Sequence, residues 1–166
     1  MADSSIPSTD APPPDAPSAD AISGLILRIF RVNGGLLIAG DRLVSPLGLT
    51  SARWQLLGGI AGAEQPRPVV QLARDIGVSR QAVQRLANEL HSEGVVAFRP
   101  NPHHKRAQLV MLTARGRELY EAALDLQRPW AEKLGKSLTS VQVAIARDVV
   151  DSLLTGLDAQ RKAADV

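Results

Sequence analysis

Apolar residues recur at spacings of three and four along the first part of the chain, which predicts a long helix with one apolar face over about 21–44. After a Ser-Pro break, Thr50 or Ser51 can cap a second helix that ends near residue 58. The stretch 58–68 holds three Gly and two Pro and is predicted to be a loop.

The middle segment, residues 69–112, follows the order helix, turn, helix, strand, loop, strand. Gly77 suits the sharp turn between the two helices, because glycine adopts left-handed backbone angles at little cost. Ser79 is placed to cap the second helix with its hydroxyl. Two runs of strand composition, 95–99 and 107–112, then flank a turn-rich stretch and predict a hairpin.

Two further helices are predicted at the C-terminal end. Thr113 opens the first, in which Pro129 should produce a kink or an interruption because it lacks an N–H. Thr139 and Gln142 have the spacing of a capping box and predict the start of the last helix. The fold class is therefore mainly α with a small β-hairpin: a winged helix-turn-helix with long helices at both ends.

Composition narrows the class of protein. The chain has 166 residues, enough for one domain with a core, and contains no cysteine, which excludes disulfides and thiolate metal sites. Residues 1–20 contain five Pro and four Asp and are predicted to be a disordered tail, with a role as a polyproline ligand as the weaker alternative. No run of eighteen apolar residues or secretory signal is evident, so we expect a cytoplasmic protein without a membrane partner.

The net charge of +2 is unevenly distributed. The tail carries four Asp and no basic residue, so the rest of the chain carries +6. Residues 67–117 contain nine basic and three acidic residues and account for that whole excess. Such a segment is typical of a surface that binds a polyanion, although a solvated charged face would have the same composition.

The outer face of the second middle helix is polar and rich in hydrogen-bond donors. These side chains can reach base edges and phosphates in a major groove, so the pair is interpreted as a helix-turn-helix whose second helix contacts the bases. The alternative is a helical hairpin with no DNA role. The predicted DNA-contacting residues of this helix are Ser79, Arg80, Gln81, Gln84, Arg85 and Asn88.

The predicted hairpin also carries cations. A basic hairpin tip beside such a helix is placed to enter the adjacent minor groove. Its predicted DNA-contacting residues are Arg99, His103, His104, Lys105 and Arg106. Metal binding by the two histidines is the alternative, but further ligands are missing from the neighbouring sequence.

The stretch ARDIGVSRQAVQRLANELHSEGVVAFRPNPHHKRAQLVMLTARGRELY resembles the characteristic region of the MarR family of winged helix-turn-helix transcriptional regulators. That family usually has Asp-Pro-x-Asp-Arg-Arg in the wing, followed by an apolar strand and Leu-Thr-x-x-Gly. Here Asn101 and His104 replace the two Asp, so Arg106 lacks its usual carboxylate partner, whereas Leu112-Thr113-Ala114-Arg115-Gly116 matches.

The resemblance implies a homodimer that binds a pseudo-palindromic operator in double-stranded DNA, and a repressor relieved by a small aromatic effector. It divides residues 21–166 into a DNA-reading head at about 50–112 and dimerisation helices at about 21–44 and 113–160. The aliphatic content of the terminal helices independently favours a partner. The effector would lie between the two regions, with Arg53, Trp54, Leu57 and Trp130 as candidate contacts.

The sequence disfavours two other classes of protein. A winged-helix module that binds only proteins would favour acidic residues on the outer face of the second helix, and these are absent before Glu89. An enzyme is not expected, because the three histidines and the carboxylates form no recognisable catalytic motif. We therefore expect no catalytic residue, no cofactor and no metal.

Overall fold

The computed structural model describes residues 15–104 and 106–164. Its elements follow the predicted order, with one short strand added before the third helix. They are α1 (Ala19–Val44), a single 3-10 turn (Ser45–Leu47), α2 (Ser51–Ala61), β1 (Arg67–Pro68), α3 (Val69–Asp75), α4 (Arg80–Ser92), β2 (Val96–Arg99), β3 (Leu109–Leu112), α5 (Ala114–Leu134) and α6 (Ser140–Ala164).

The first helix begins earlier than predicted. The Ser18 hydroxyl accepts a hydrogen bond from the Ala21 N–H, and the helix starts at Ala19, so residues 19 and 20 do not belong to an irregular tail. An N-cap serine satisfies one of the free N–H groups of a first turn, which explains this start. Residues 15–18 of the predicted tail are exposed and precede the helix, and residues 1–14 lie outside the described residues.

The core gathers around α2, whose Leu56 and Leu57 are fully buried. Leu72 of α3 and Leu90 of α4 close it on the side of the helix-turn-helix, and Val110 of β3 closes it from the sheet. This packing sets the orientation of α4 relative to α2. The last helix, α6, buries none of its residues against the described chain.

The three strands form an antiparallel sheet in the order β1-β3-β2. In the hairpin, Val96 pairs with Leu112 and Arg99 pairs with Leu109, so the turn between the strands projects beyond the sheet. Strand β1 pairs Arg67 with Val110. The sequence did not predict β1, because a two-residue strand ending in proline leaves no periodic pattern.

The local features predicted for the helix-turn-helix are confirmed. Gly77 has φ of 70°, the left-handed conformation in which a glycine lacks the usual Cβ penalty. Ser79 caps α4, its hydroxyl accepting from the Ala82 N–H at 3.2 Å. α4 ends at Ser92, and the chain turns at Gly94 into β2.

A close approach joins the start of α5 to the start of the wing. The Thr113 hydroxyl accepts from the Gly116 N–H at 3.0 Å and lies 2.8 Å from the Gly94 carbonyl oxygen, to which it can donate. A Cβ placed on Gly116 would lie 2.0 Å from the backbone oxygen of Val95. Glycine is therefore required at the last position of the Leu-Thr-x-x-Gly sequence, because a Cβ there would collide with the backbone of Val95.

We predict that Gly116→Ala lowers the free energy of unfolding by about 1–3 kcal/mol, because the backbone of residue 95 must move to admit the methyl group. Thermal or urea unfolding monitored by circular dichroism measures the loss. Gly156→Ala on α6 is the helical comparison: its Cβ would meet nothing within 4 Å in the single chain, so it should be at least as stable as the wild type, because alanine favours a helix over glycine. Equal stability of Gly116→Ala and the wild type would contradict the close approach.

Of the two outcomes predicted for Pro129, the interruption is wrong, and the kink stays a prediction. α5 is continuous from Ala114 to Leu134 with Pro129 inside it. Pro129 has no N–H to donate to the Asp125 carbonyl one turn earlier. Both residues are exposed, so water can satisfy that carbonyl.

At the start of α6 the predicted capping box is confirmed: Thr139 Oγ1 accepts from the Gln142 N–H and Gln142 Oε1 accepts from the Thr139 N–H.

Candidate nucleic-acid interface

The outer face of α4 presents the predicted polar side chains to solvent. Arg80, Gln81, Arg85 and Asn88 are exposed and Gln84 is half-buried. Gln84 Nε2 donates to Asn88 Oδ1 at 3.0 Å, so these two amides form one hydrogen-bonding unit along the helix. The buried residues of α4, among them Val83 and Leu90, lie on the opposite side. One face of α4 thus holds the helix in the core, and the other is free to enter a groove.

The wing consists of β2, β3 and their connecting turn. A cleft of about 270 Å³ separates it from α4. Its polar lining comes from both sides: Arg80 and Gln84 from the helix, His104 and Arg106 from the wing turn. The structure therefore brings together residues that the sequence placed in two separate groups. Gln108 also lines this cleft, although sequence analysis did not single it out.

The wing turn is shaped by Asn101. Its side-chain Oδ1 accepts from the His103 N–H at 2.9 Å, and its carbonyl accepts from the His104 N–H at 3.3 Å. An Asn side chain thus forms the turn at the position where a carboxylate is usual in the resembled family. Both histidines are exposed, and Lys105 lies outside the described residues.

Two arginines complete the predicted cations of the wing. Arg99 is exposed at the end of β2, and Arg106 is exposed in the turn. Arg106 makes no ion pair with a carboxylate of residues 15–104 or 106–164, as the loss of the usual wing Asp predicted. Its guanidinium is therefore available to a phosphate.

The helix and the wing are tied together at their base. His91 Nδ1 lies 3.1 Å from the Val96 carbonyl oxygen. The ring of His91 also packs edge-on against Phe98, with 5.1 Å between ring centroids. Because only residues 93–95 separate the end of α4 from the start of β2, these contacts hold the wing at a set angle to α4.

Arg53, predicted as an effector contact, is engaged within the chain. Nη1 lies 3.1 Å from Glu93 Oε2, and Nη2 contacts Glu93 Oε1 and lies 3.5 Å from Glu89 Oε2. The hydrogen bond that Arg53 donates to the Glu93 carboxylate is the main cause that raises the pKa of Arg53 above its ordinary value, and burial opposes this shift. Sequence analysis missed this pairing, because forty residues separate Arg53 from Glu93.

The other candidate effector contacts lie on two helices. Leu57 is fully buried in the core, and Trp54 packs against that core while remaining partly exposed. Trp130 is half-buried towards the end of α5. With Leu57 inside the core and Arg53 held by Glu93, the effector role of these four residues stays a prediction.

A separate cleft of about 390 Å³ lies between the end of α2, strand β3 and α5. Its lining includes the apolar residues Ile60, Met111 and Leu124. Its polar lining residues are Glu64, Gln65, Arg117, Tyr120 and Glu121. Arg117 Nη1 donates to the Leu112 carbonyl at 3.1 Å. The volume and the combination of apolar walls with polar groups fall within the range of small-molecule sites.

A helix-turn-helix with a solvent-facing Arg/Gln/Asn side, beside a cation-bearing antiparallel hairpin, defines a winged helix-turn-helix DNA-binding protein. Residues 47–107 match the sequence profile of the MarR family. The chain is 33% identical over 119 residues to the multiple antibiotic resistance protein MarR of Escherichia coli, covering 69% of this chain and 82% of MarR. The chain therefore belongs to the MarR family of transcriptional regulators.

Two further similarities extend over nearly the whole described fold. An uncharacterized protein of Mycobacterium tuberculosis is 32% identical over 143 residues, covering 86% of this chain and 99% of that protein. The crystal structure of an E. coli MarR mutant complexed with operator DNA superimposes with a TM-score of 0.70 at 29% identity, covering 84% of this chain and 99% of that one. The resemblance and the fold class predicted from the sequence are confirmed.

Proposed function

We propose that the protein is a cytoplasmic, non-enzymatic homodimeric repressor that binds a pseudo-palindromic operator and is released from it by a small aromatic acid. The observation that carries the proposal is the exposed face of α4 beside the wing, where Arg80, Gln84 and Arg106 line one cleft. In this proposal α4 enters the major groove and the wing turn follows the adjacent minor groove. The structure of an E. coli MarR mutant complexed with operator DNA supports operator binding by this fold.

Dimerisation is supported by the apolar surface of the terminal helices. α6 has 25 residues and buries none of them in the described chain, and Leu157 on it is 61% exposed. On α1, Phe30 is 67% exposed, and a Cβ on Gly34 or Gly35 would meet nothing within 4 Å, which leaves room for a second helix. Surface of this kind is covered in stable soluble proteins, and the family relationship favours a second copy as the cover.

The same surface explains a property that α1 shares with membrane-spanning helices. Residues Ala19–Leu47 are long and apolar enough to cross a bilayer by length and composition alone. Helix α1 packs against α2 and α5, and its partly buried residues, such as Leu43, face the core. We assign its remaining apolar residues to the dimer contact, because the family consists of soluble DNA-binding proteins.

The effector is proposed to occupy the cleft between α2, β3 and α5. The cleft adjoins β3 of the wing on one side and α5 on the other, so a bound molecule would alter the angle between them. Arg117 supplies a cation for a carboxylate, against the repulsion of Glu64 and Glu121 in the same lining. Tyr120 supplies a hydroxyl, and the apolar walls suit an aromatic ring. This placement differs from the four residues suggested by the sequence, of which two are already engaged.

A reporter gene under the DNA upstream of the protein's own gene tests the whole proposal. We expect expression to rise on deletion of the protein, and to rise in the wild type when benzoate or a hydroxybenzoate is supplied. Arg117→Gln should remain repressed in the presence of these acids, because it loses their charge partner, while Arg128→Gln on the exposed side of α5 serves as the matched control. A fall in expression on deletion would identify an activator instead, and equal induction of both variants would exclude the Arg117 cleft.

A further inference from the structure

Two carboxylates lie one helical turn apart at the C-terminal end of α4. Glu89 lies in the last turn, and Glu93 is the C-cap residue. Like charges at this spacing destabilise a helix, and the negative end of the helix dipole adds to the cost. A cation close to both carboxylates would offset these two effects.

Arg53 is that cation, and it comes from a different helix. Its side chain is 18% exposed, whereas those of Glu89 and Glu93 are 45% and 43% exposed. The guanidinium contacts both oxygens of Glu93 and lies 3.5 Å from Glu89. Two-pronged pairing of this kind fixes geometry as well as charge, so Arg53 attaches the end of α4 to α2.

Glu89 has a second cation next to it, on the DNA-facing side. Its Oε1 lies 3.9 Å from Nε of Arg85, whose side chain is 75% exposed. Glu89 thus lies between Arg53 and Arg85, closer to the former. A carboxylate whose charge is already offset by one guanidinium attracts the second one less strongly.

We propose that Arg53 is a positioning residue for DNA binding, which keeps Arg85 available to the bases by neutralising Glu89. The inference rests on the proposed role of Arg85 as a base contact. Without Arg53, Glu89 carries an uncompensated charge, draws Arg85 back along the helix surface and repels the phosphates beside it. Arg53 itself lies behind α4, on α2, and acts only through these carboxylates.

The test uses full-length protein and two DNA probes: a duplex selected by the wild type from a randomised library, and a duplex of random sequence. We expect Arg53→Gln to weaken binding to the selected duplex about tenfold, a size typical of coupled charges, with a smaller loss on the random duplex. Adding Glu89→Gln should restore most of the affinity, because a neutral amide does not capture Arg85. Adding Glu93→Gln instead should leave the affinity low.

The paired variants distinguish positioning from simple structural support. Arg53→Gln that binds like the wild type, Arg53→Gln/Glu89→Gln that is no better than Arg53→Gln, or equal rescue by Glu93→Gln would each overturn the proposal. If Arg53→Gln is unfolded at the assay temperature, Arg53→Lys, which keeps the charge but not the two-pronged contact, is compared with and without Glu89→Gln. A wild type that selects no duplex would contradict the proposed function itself, which is a separate outcome.

Discussion

Val150→Glu/Leu157→Glu should convert the protein to a monomer and weaken operator binding by about a hundredfold or more, because two linked half-site contacts become one. Both residues are exposed in the single chain, on the apolar side of α6. A carboxylate buried between two copies of α6 would lose its hydration without gaining a partner, which opposes association. Sedimentation velocity measures the mass, and titration of labelled operator measures the affinity.

The matched control is Thr155→Glu, on the polar side of the same helix. Thr155 is exposed, and its hydroxyl donates only to the Asp151 carbonyl one turn earlier. This variant adds a negative charge to α6 without entering the proposed dimer contact, so we expect it to remain dimeric and to bind the operator. Loss of dimerisation in both variants would indicate a general effect of charge on α6.

A chain that cannot fold alone would unfold when dimerisation is lost, and would also lose DNA binding. The thermal midpoint of the wild type separates these outcomes, because a dimer coupled to folding melts at a higher temperature as protein concentration rises. A wild type that is monomeric, melts independently of concentration and still binds its operator tightly would contradict the dimer.

Features that depend on neighbouring residues could be predicted from the sequence. Ser79, Thr113 and Thr139 cap their helices as expected, because a cap requires only a hydroxyl and an N–H two or three residues away. The left-handed Gly77 follows from the same kind of local rule. The face of α4 that meets solvent also followed from the sequence, since helical periodicity places Val83 and Leu90 on the buried side.

Features that depend on contacts between residues distant in sequence could not be predicted. Strand β1 exists because Arg67 pairs with Val110, and neither residue indicates this on its own. Arg53 was a candidate effector contact only through the place that the family resemblance gives the effector, whereas Glu93 binds it in the folded chain. The cleft lined by Arg117 and Tyr120 likewise forms only when α5 packs beside β3.

Arg85→Ala should raise the free energy of binding to the operator by about 1–3 kcal/mol, as expected for loss of a base contact. The side chain is 75% exposed on the outer face of α4, and its nearest carboxylate, Glu89, is 3.9 Å away. It is therefore free to extend into a major groove, where a guanidinium can donate two hydrogen bonds to a guanine. Loss of these bonds should weaken operator binding more than binding to random DNA, so the ratio of the two affinities should fall.

Arg106→Ala provides the contrast within the same interface. Its side chain is exposed in the wing turn and is expected to contact phosphates, which carry no sequence information. This variant should therefore weaken binding to both DNAs by a similar factor. The salt dependence of binding should fall by the amount that corresponds to about one phosphate contact. Arg128→Ala removes the same charge from α5, outside the helix-turn-helix and the wing. It should leave the affinities for the operator and for random DNA unchanged. If Arg85→Ala instead weakened binding to both DNAs equally, Arg85 would be a phosphate contact. The base contacts of α4 would then have to come from Gln81, Gln84 and Asn88.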